Sequence, residues 1–321
     1  MYAEEKPPGA KTMRERPESV EVVEVSPRDG IQNEAKVLPV DTKLALIARA
    51  IAAGARRLEV TSFVNPARVP QMAGAEEVIA AARAQRSPHA PRLSALALNL
   101  RGAERAIAAG VDEVNFVVVA SESFNRRNQG AAIADTLAQW RAVRARLRAS
   151  GLGSTLTIGA AFGCPFEGEI APDAPARLID SLGAELPDEI ALADTIGVAA
   201  PSDITERFGR VTAAAPGIAL RAHLHNTRNT GLANAAAALA AGVTAIDASL
   251  GGFGGCPFAP AATGNLPTED LAYMLQRMGH VGEIDLAAAV AASDWLGEQL
   301  GRTPPGLLGR AGLFPPPVHP G

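Results

Sequence analysis

The chain is poor in cysteine: Cys164 and Cys256 are its two thiols among 321 residues, too few for a disulfide framework, and a reducing compartment is the simpler expectation. It has no dominant charge of one sign, since 30 Lys+Arg stand against 34 Asp+Glu for a formal net charge of −4. That balance gives no basic field of the kind that holds nucleic acid. Long apolar runs are missing, so no segment is expected to cross a bilayer. Residues 1–17, MYAEEKPPGAKTMRERP, lack an apolar export core and are expected to form a solvated arm, which fits a cytoplasmic protein. Nor does a G-x-G-x-x-G follow any predicted strand, which removes the phosphate loop that a doubly wound dinucleotide-binding sheet would carry.

What is present is a chain 47% hydrophobic in which short β-branched runs alternate with Ala-rich segments of helical period. The runs predict eight strands: Val20–Ser26, Arg57–Phe63, Leu93–Asn99, Glu113–Val119, Thr155–Ala161, Glu189–Ala193, Ile218–His225 and Thr244–Leu250. Between them Thr42–Ala53, Ala73–Gln85, Ile133–Ala149, Asp203–Ala215 and Gly231–Ala241 read as covering helices. Roughly 230 residues shared among eight units leave about 29 each, the size of a closed (β/α)₈ TIM barrel. The expected organisation is an arm at 1–17, a single α/β barrel at 18–302 with an additional C-terminal helix, and a Pro/Gly-rich tail at 303–321 that packs on the body or on a neighbouring subunit.

In such a barrel the chemistry collects where strands end and βα loops begin. Arg28 and Asp29 follow strand one, Glu59 and Ser62 close strand two, and Asn99 ends strand three. Cys164 follows strand five, Asp194 ends strand six, His223 and His225 end strand seven, and Cys256 and Asn265 follow strand eight. Residues i and i+2 of a strand share a face, so His223-Leu224-His225 presents two imidazoles to one ion. With Asp29 as an anionic oxygen and Asn265 as a neutral one, the set suits Mg²⁺ or Mn²⁺ better than a structural zinc; an open catalytic zinc is the alternative. Glu59 is placed to orient Arg28, whose fixed charge would stabilise an enolate. Asp194 reads equally as an ion-pair partner or a proton carrier. Gly251–Gly255 reads as a flexible loop delivering Cys256, and Cys164, lacking such glycines before it, as structural.

SPRDGIQNE, EVTSFVNP with VPQMAG, GCPFEGEI, ADTIGV, H-x-H and GGFGGCPFAPAATGNLPTEDLAYML resemble 3-hydroxy-3-methylglutaryl-CoA lyases, from about Val20 to Glu298. The resemblance implies retro-Claisen cleavage of a branched 3-hydroxyacyl-CoA to acetyl-CoA and a 3-oxo acid such as acetoacetate, as in leucine catabolism, by a homo-oligomer. It implies a metal on Asp29, His223, His225 and Asn265, and catalysis by Arg28, Cys256, Asp194 and Glu59. Gln32, Ser62, Thr195 and Asn99 would contact the acyl-CoA. The chain departs from the family at Asn226 and Arg228, where an acid and an aromatic are usual, and at Thr157 and Gly159, where bulkier side chains stand. A related 3-alkylglutaryl or citramalyl thioester is therefore also accommodated. The competing readings are a Claisen-type synthase joining acetyl-CoA to a 2-oxo acid and a non-catalytic acyl-CoA-binding barrel.

Overall fold

The computed structural model describes residues 19–84, 90–255, 264–280 and 282–315. The β-branched runs form strands β1 (Glu21–Glu24), β2 (Arg57–Ser62), β3 (Arg92–Ala97), β4 (Glu113–Val119), β5 (Gly153–Gly159), β6 (Glu189–Asp194), β7 (Ala219–Leu224) and β8 (Ala245–Ala248). Neighbours pair in parallel in the order β1-β8-β7-β6-β5-β4-β3-β2, and β1 closes the ring by pairing with β2 as well as β8. The expected closed barrel is therefore present, and an open doubly wound sheet is excluded, because β1 has a partner on each edge.

The barrel helices α1 (Val40–Ala52), α2 (Ala75–Ala84), α3 (Leu100–Ala109), α4 (Glu122–Gln129), α5 (Ile133–Ser150), α6 (Ala174–Asp180), α7 (Pro201–Ala214) and α8 (Gly231–Ala240) follow their strands. After β8 come α9 (Thr268–Arg277), α10 (Leu286–Leu300) and the short α11 (Leu308–Ala311). Their apolar faces meet the outer faces of the strands in one core, where Trp140 of α5 is fully buried with its ring 5.7 Å from Phe116 of β4. Among the described residues, no helix is long and apolar enough to cross a membrane.

Several strands end a residue or two from the bounds the periodicity gives, and two of these differences shape the mouth. β1 stops at Glu24 because Pro27 helps coil Ser26–Gly30 into a wide π-type turn in which Arg28 is buried. β7 stops at Leu224, and His225 continues as an isolated bridge to Asn265.

Inside the ring, the side chains are polar in layers set by the two-residue period of the strands. The lower layer holds Arg57, Glu113, Thr155, Glu189 and Arg221. Arg57 donates to Glu113 at 2.5 Å and to the two oxygens of Glu189 at 2.6 and 2.9 Å. Arg221, fully buried, faces Glu189 at 3.6 Å. TIM barrels more often fill this space with branched apolar side chains. Two residues further along the same strands come Glu59, Asn115, Thr157 and His223, and the chemistry begins there.

Candidate active site

The π-type turn carries Arg28 and Asp29 over the barrel mouth, and Glu24 fastens it underneath. Glu24, buried at the end of β1, accepts from Ser26 N at 2.8 Å, Leu250 N at 3.2 Å and Thr268 Oγ1 at 2.7 Å. The first and last βα loops are thereby held as one unit. Burial, only partly offset by these bonds, raises the Glu24 pKa.

Arg28 is gripped on both sides. Its guanidinium donates to Glu59 Oε1 and to Asp29 Oδ1. The other oxygen of Glu59 accepts from Asn115 Nδ2 at 2.6 Å, and Asn115 Oδ1 accepts from Thr157 Oγ1 at 2.7 Å. A continuous chain therefore runs Thr157, Asn115, Glu59, Arg28, Asp29. The anticipated Glu59–Arg28 contact is found, with Glu59 buried behind the arginine.

Asp29 is the hub. Its Oδ2 lies 3.9 Å from Nε2 of both His223 and His225 and accepts from Asn265 Nδ2 at 2.8 Å. Ligand atoms of Asp29, His223 and His225 lie within 4.8 Å of one another, the spread of donors around one cation. His223 Nδ1 meets Asp247 Oδ2 at 2.9 Å. Both ring nitrogens of His225 and the Oδ1 of Asn265 are buried without a hydrogen-bond partner. Such orphans are costly unless something binds them, and one of them, His225 Nε2, lies 3.9 Å from Asp29 Oδ2. Two imidazole nitrogens, a carboxylate and an amide oxygen fit a divalent cation of intermediate hardness. Burial opposes charge on Asp29, but Arg28 and the two histidines outweigh it and hold the carboxyl far below its usual range. Burial likewise acts against protonation of His223, but the bond to Asp247 and the charges of Asp247 and Asp29 together outweigh it and raise its pKa. Asp247 is held low by Arg221 and His223 despite burial.

Asp29 and His223 of the cluster, with Arg28, form part of the wall of a cavity of about 680 Å³ that opens at the mouth. Gln32, Asn99 and Thr195 line it, as do Asn115, Thr157 and Gly159. Thr195 Oγ1 accepts from Ala160 N at 2.8 Å, leaving its proton for a ligand. Asn99 also caps α3, accepting from Gly102 N at 2.8 Å, which fixes its side chain at the cavity wall. Of the residues anticipated to act on the substrate, Glu59, Ser62 and Asp194 are placed away from the cavity wall. Ser62 is buried, and Asp194 accepts from Val198 N at 2.9 Å and Ala199 N at 3.0 Å, fastening the loop that carries Thr195. Burial raises the Asp194 pKa.

The departures at Asn226 and Arg228 do not strip the metal cluster of a charge. Asn226 Oδ1 accepts from Gly231 N at 3.0 Å at the start of α8, and Arg228 donates to the carbonyls of Ile196 and Gly197 at 3.0 and 2.8 Å, bridging two loops. Cys164 is buried in a small hairpin, its thiol 3.0 Å from Ser121 Oγ. Cys256 lies outside the described residues. The glycines before it serve close packing rather than looseness: a Cβ on Gly254 would stand 2.5 Å from Asn265 Nδ2 and 2.8 Å from Asp29 O.

A sequence profile of HMGL-like proteins matches residues 19–296. The chain belongs to the HMGL-like family. The (R)-citramalyl-CoA lyase of Chloroflexus aurantiacus is 44% identical over 315 residues, covering 94% of this chain and 96% of that one. The hydroxymethylglutaryl-CoA lyase of Pseudomonas mevalonii is 37% identical over 88% of this chain and 93% of its own. A solved HMG-CoA lyase from A. baumannii, in complex with coenzyme A and 3-methylmalate, superposes with a TM-score of 0.87 at 36% identity, covering 94% of this chain and 98% of that one. As an HMGL-like protein the chain is a carbon–carbon lyase of the retro-Claisen type. The family depends on a divalent metal, and the described residues include one group able to bind it.

The sequence reading missed Asn115, Asp247, Arg57, Arg221 and Glu24. A signal for four of them was available: Arg57, Asn115, Arg221 and Asp247 each lie one or two pleats from a charged or metal-facing residue on the same predicted strand, or on the strand beside it.

Proposed function

We propose that the protein cleaves a branched 3-hydroxyacyl-CoA bearing a tertiary hydroxyl and a carboxylate, releasing acetyl-CoA and an oxo acid. A citramalyl thioester would give pyruvate, and a 3-hydroxy-3-methylglutaryl thioester acetoacetate. The observation that carries this is a cavity presenting Arg28 whose wall includes Asp29 and His223, which cluster with His225 and with Asn265, itself bonded to Asp29. Asp29, His223, His225 and Asn265 would hold Mg²⁺ or Mn²⁺. When bound, the cation supplies Lewis acidity that eases loss of the hydroxyl proton and anchors a substrate carboxylate.

Arg28 supplies the fixed positive charge for the thioester oxygen, which becomes an enolate oxygen as the carbon–carbon bond breaks. Its guanidinium is held by Glu59 and Asp29 before substrate arrives, so little reorganisation accompanies the step. Gln32, Thr195 and Asn99 line the cavity and orient the acyl portion through their polar groups. The acetyl carbon then takes a proton, for which Cys256, five residues beyond Gly251, is the donor on sequence grounds. Glu59 and Asp194 act by position: one aims Arg28, the other fixes the Thr195 loop.

The reading places the enzyme in the cytoplasm and in catabolism of branched acyl-CoAs such as those from leucine. Self-association would use the exposed Leu307 and Phe314 near the C-terminal end. The test is a panel of branched acyl-CoAs incubated with the protein and Mg²⁺. Release of acetyl-CoA from citramalyl-CoA or 3-hydroxy-3-methylglutaryl-CoA is expected; tight thioester binding with no turnover across the panel would overturn the reading.

A further inference from the structure

Asp247 has no part in the reading above. It lies on β8, which pairs with the strand of His223, and its carboxylate is buried and turned into the barrel. One oxygen, Oδ2, meets His223 Nδ1 at 2.9 Å; the other, Oδ1, has no hydrogen bond and faces Arg221 Nε at 3.4 Å. Arg221 is two residues before His223 on β7 and therefore points to the same side. It is fully buried and reaches carboxylates only at ion-pair distance, from Asp247, Glu189 and Glu113.

This arrangement makes the two histidines unequal. A carboxylate on Nδ1 keeps the proton of a neutral imidazole on that nitrogen, and the lone pair of Nε2 is then aimed at Asp29, 3.9 Å away. His225 has no such partner on either nitrogen. We propose that Asp247, backed by Arg221, is a positioning residue that sets the tautomer and ring plane of His223 for the divalent cation, and that it couples metal affinity to the ionic layer beneath the site. The inference rests on the metal reading. It adds that the strength of the site is set from within the barrel as well as by its ligands.

The experiment is a titration of metal-stripped protein with Mn²⁺ by calorimetry and with Co²⁺ by its visible spectrum. Asp247→Asn is expected to bind either ion about 10- to 100-fold more weakly, with an altered Co²⁺ spectrum. Arg221→Met is expected to weaken binding severalfold, Arg221→Lys less so. Glu113→Gln, which faces Arg221 at 4.0 Å and leaves Asp247 untouched, should weaken binding less than Arg221→Met does. Nitrogen-15 spectra of the metal-stripped parent, with His223 assigned by substitution, should show the proton on Nδ1; this needs no Asp247 variant to fold. Parent-like affinity in Asp247→Asn, or the proton on Nε2, would overturn the proposal. A parent protein that binds neither ion would instead overturn the metal reading itself.

Discussion

Asn115 Nδ2 donates to Glu59 Oε2 at 2.6 Å across the barrel interior, joining β4 to β2 past the intervening β3. Its carbonyl accepts from Thr157, so both ends of the amide are engaged in the barrel wall. Its effect on chemistry is therefore indirect: it fixes the carboxylate that aims Arg28.

Replacing Asn115 by Leu keeps the volume and removes both bonds. The variant is expected to lose about 10- to 100-fold in kcat/KM, because displacement of a catalytic group by about 1 Å costs that much. Its Mn²⁺ affinity should match the parent. Steady-state kinetics beside a metal titration separates the two effects, and a parallel loss of metal binding would contradict the assignment.

Chelation should abolish turnover, and Mg²⁺ or Mn²⁺ should restore it. In the parent, added cation at about 100 times its Kd should also stabilise the fold by about 2.7 kcal/mol, a shift read as a higher melting temperature. His225→Ala should lose both responses while remaining folded, because the histidine has no hydrogen bond to forfeit. A melting shift that survives in His225→Ala would remove it from the ligand set.

Cys256→Ala is expected to lose most of the acetyl-CoA release and to keep metal affinity. The check is a product assay with a Mn²⁺ titration on the same preparation. Unimpaired turnover would take the thiol out of the reaction.

Arg57 sits between Glu113 and Glu189 with almost no exposure. Arg57→Met should destabilise the protein by about 3–5 kcal/mol, the cost of leaving buried carboxylates without their cation. Denaturant unfolding measures it. A loss under about 1 kcal/mol would show that the layer is solvated rather than dry.

Glu269 of α9 accepts from Gly251 N at 3.1 Å and Ser293 Oγ at 2.9 Å, and burial pushes its pKa up to about 7 from 4.5. A raised folded-state value means the folded protein holds the proton more tightly than the unfolded chain. Its stabilising effect is complete below pH 4.5 and is lost as pH rises to about 7, on the order of 3 kcal/mol in all. Glu269→Gln should flatten that part of the stability–pH curve and melt above the parent at pH 8. An unchanged slope between pH 5 and 7 would contradict the shift.

The barrel was legible because its strands are β-branched and its helices Ala-rich, so the two periods alternate without ambiguity. His223 and His225 were legible because a two-residue spacing on a strand has one geometric meaning. The Arg28–Glu59 contact followed from two adjacent strand ends. Asp194 turned out to fasten a loop, because a polar side chain at a strand end serves equally well to cap a loop or a helix, and sequence does not say where its oxygens are spent. The glycines of Gly251–Gly255 misled in the opposite sense, since freedom of the backbone can be used to pass close to Asp29 and Asn265 rather than to move. Asn115, Asp247 and the two buried arginines went unread because charge inside a barrel wall runs against the expectation of apolar filling. The alternation of Arg57 with Glu59, and of Arg221 with His223, carried the message.

The ionic layer also bounds what the enzyme can evolve to accept. Asn115 and Thr157 line the cavity, and two residues before them on the same strands Glu113 and Thr155 are bound to Arg57 of the ionic layer. Digging downward to admit a longer chain would strip a counter-ion from its partner, so variants with altered substrate range should arise by carving sideways, toward Leu98 and Val117, where only aliphatic walls must yield.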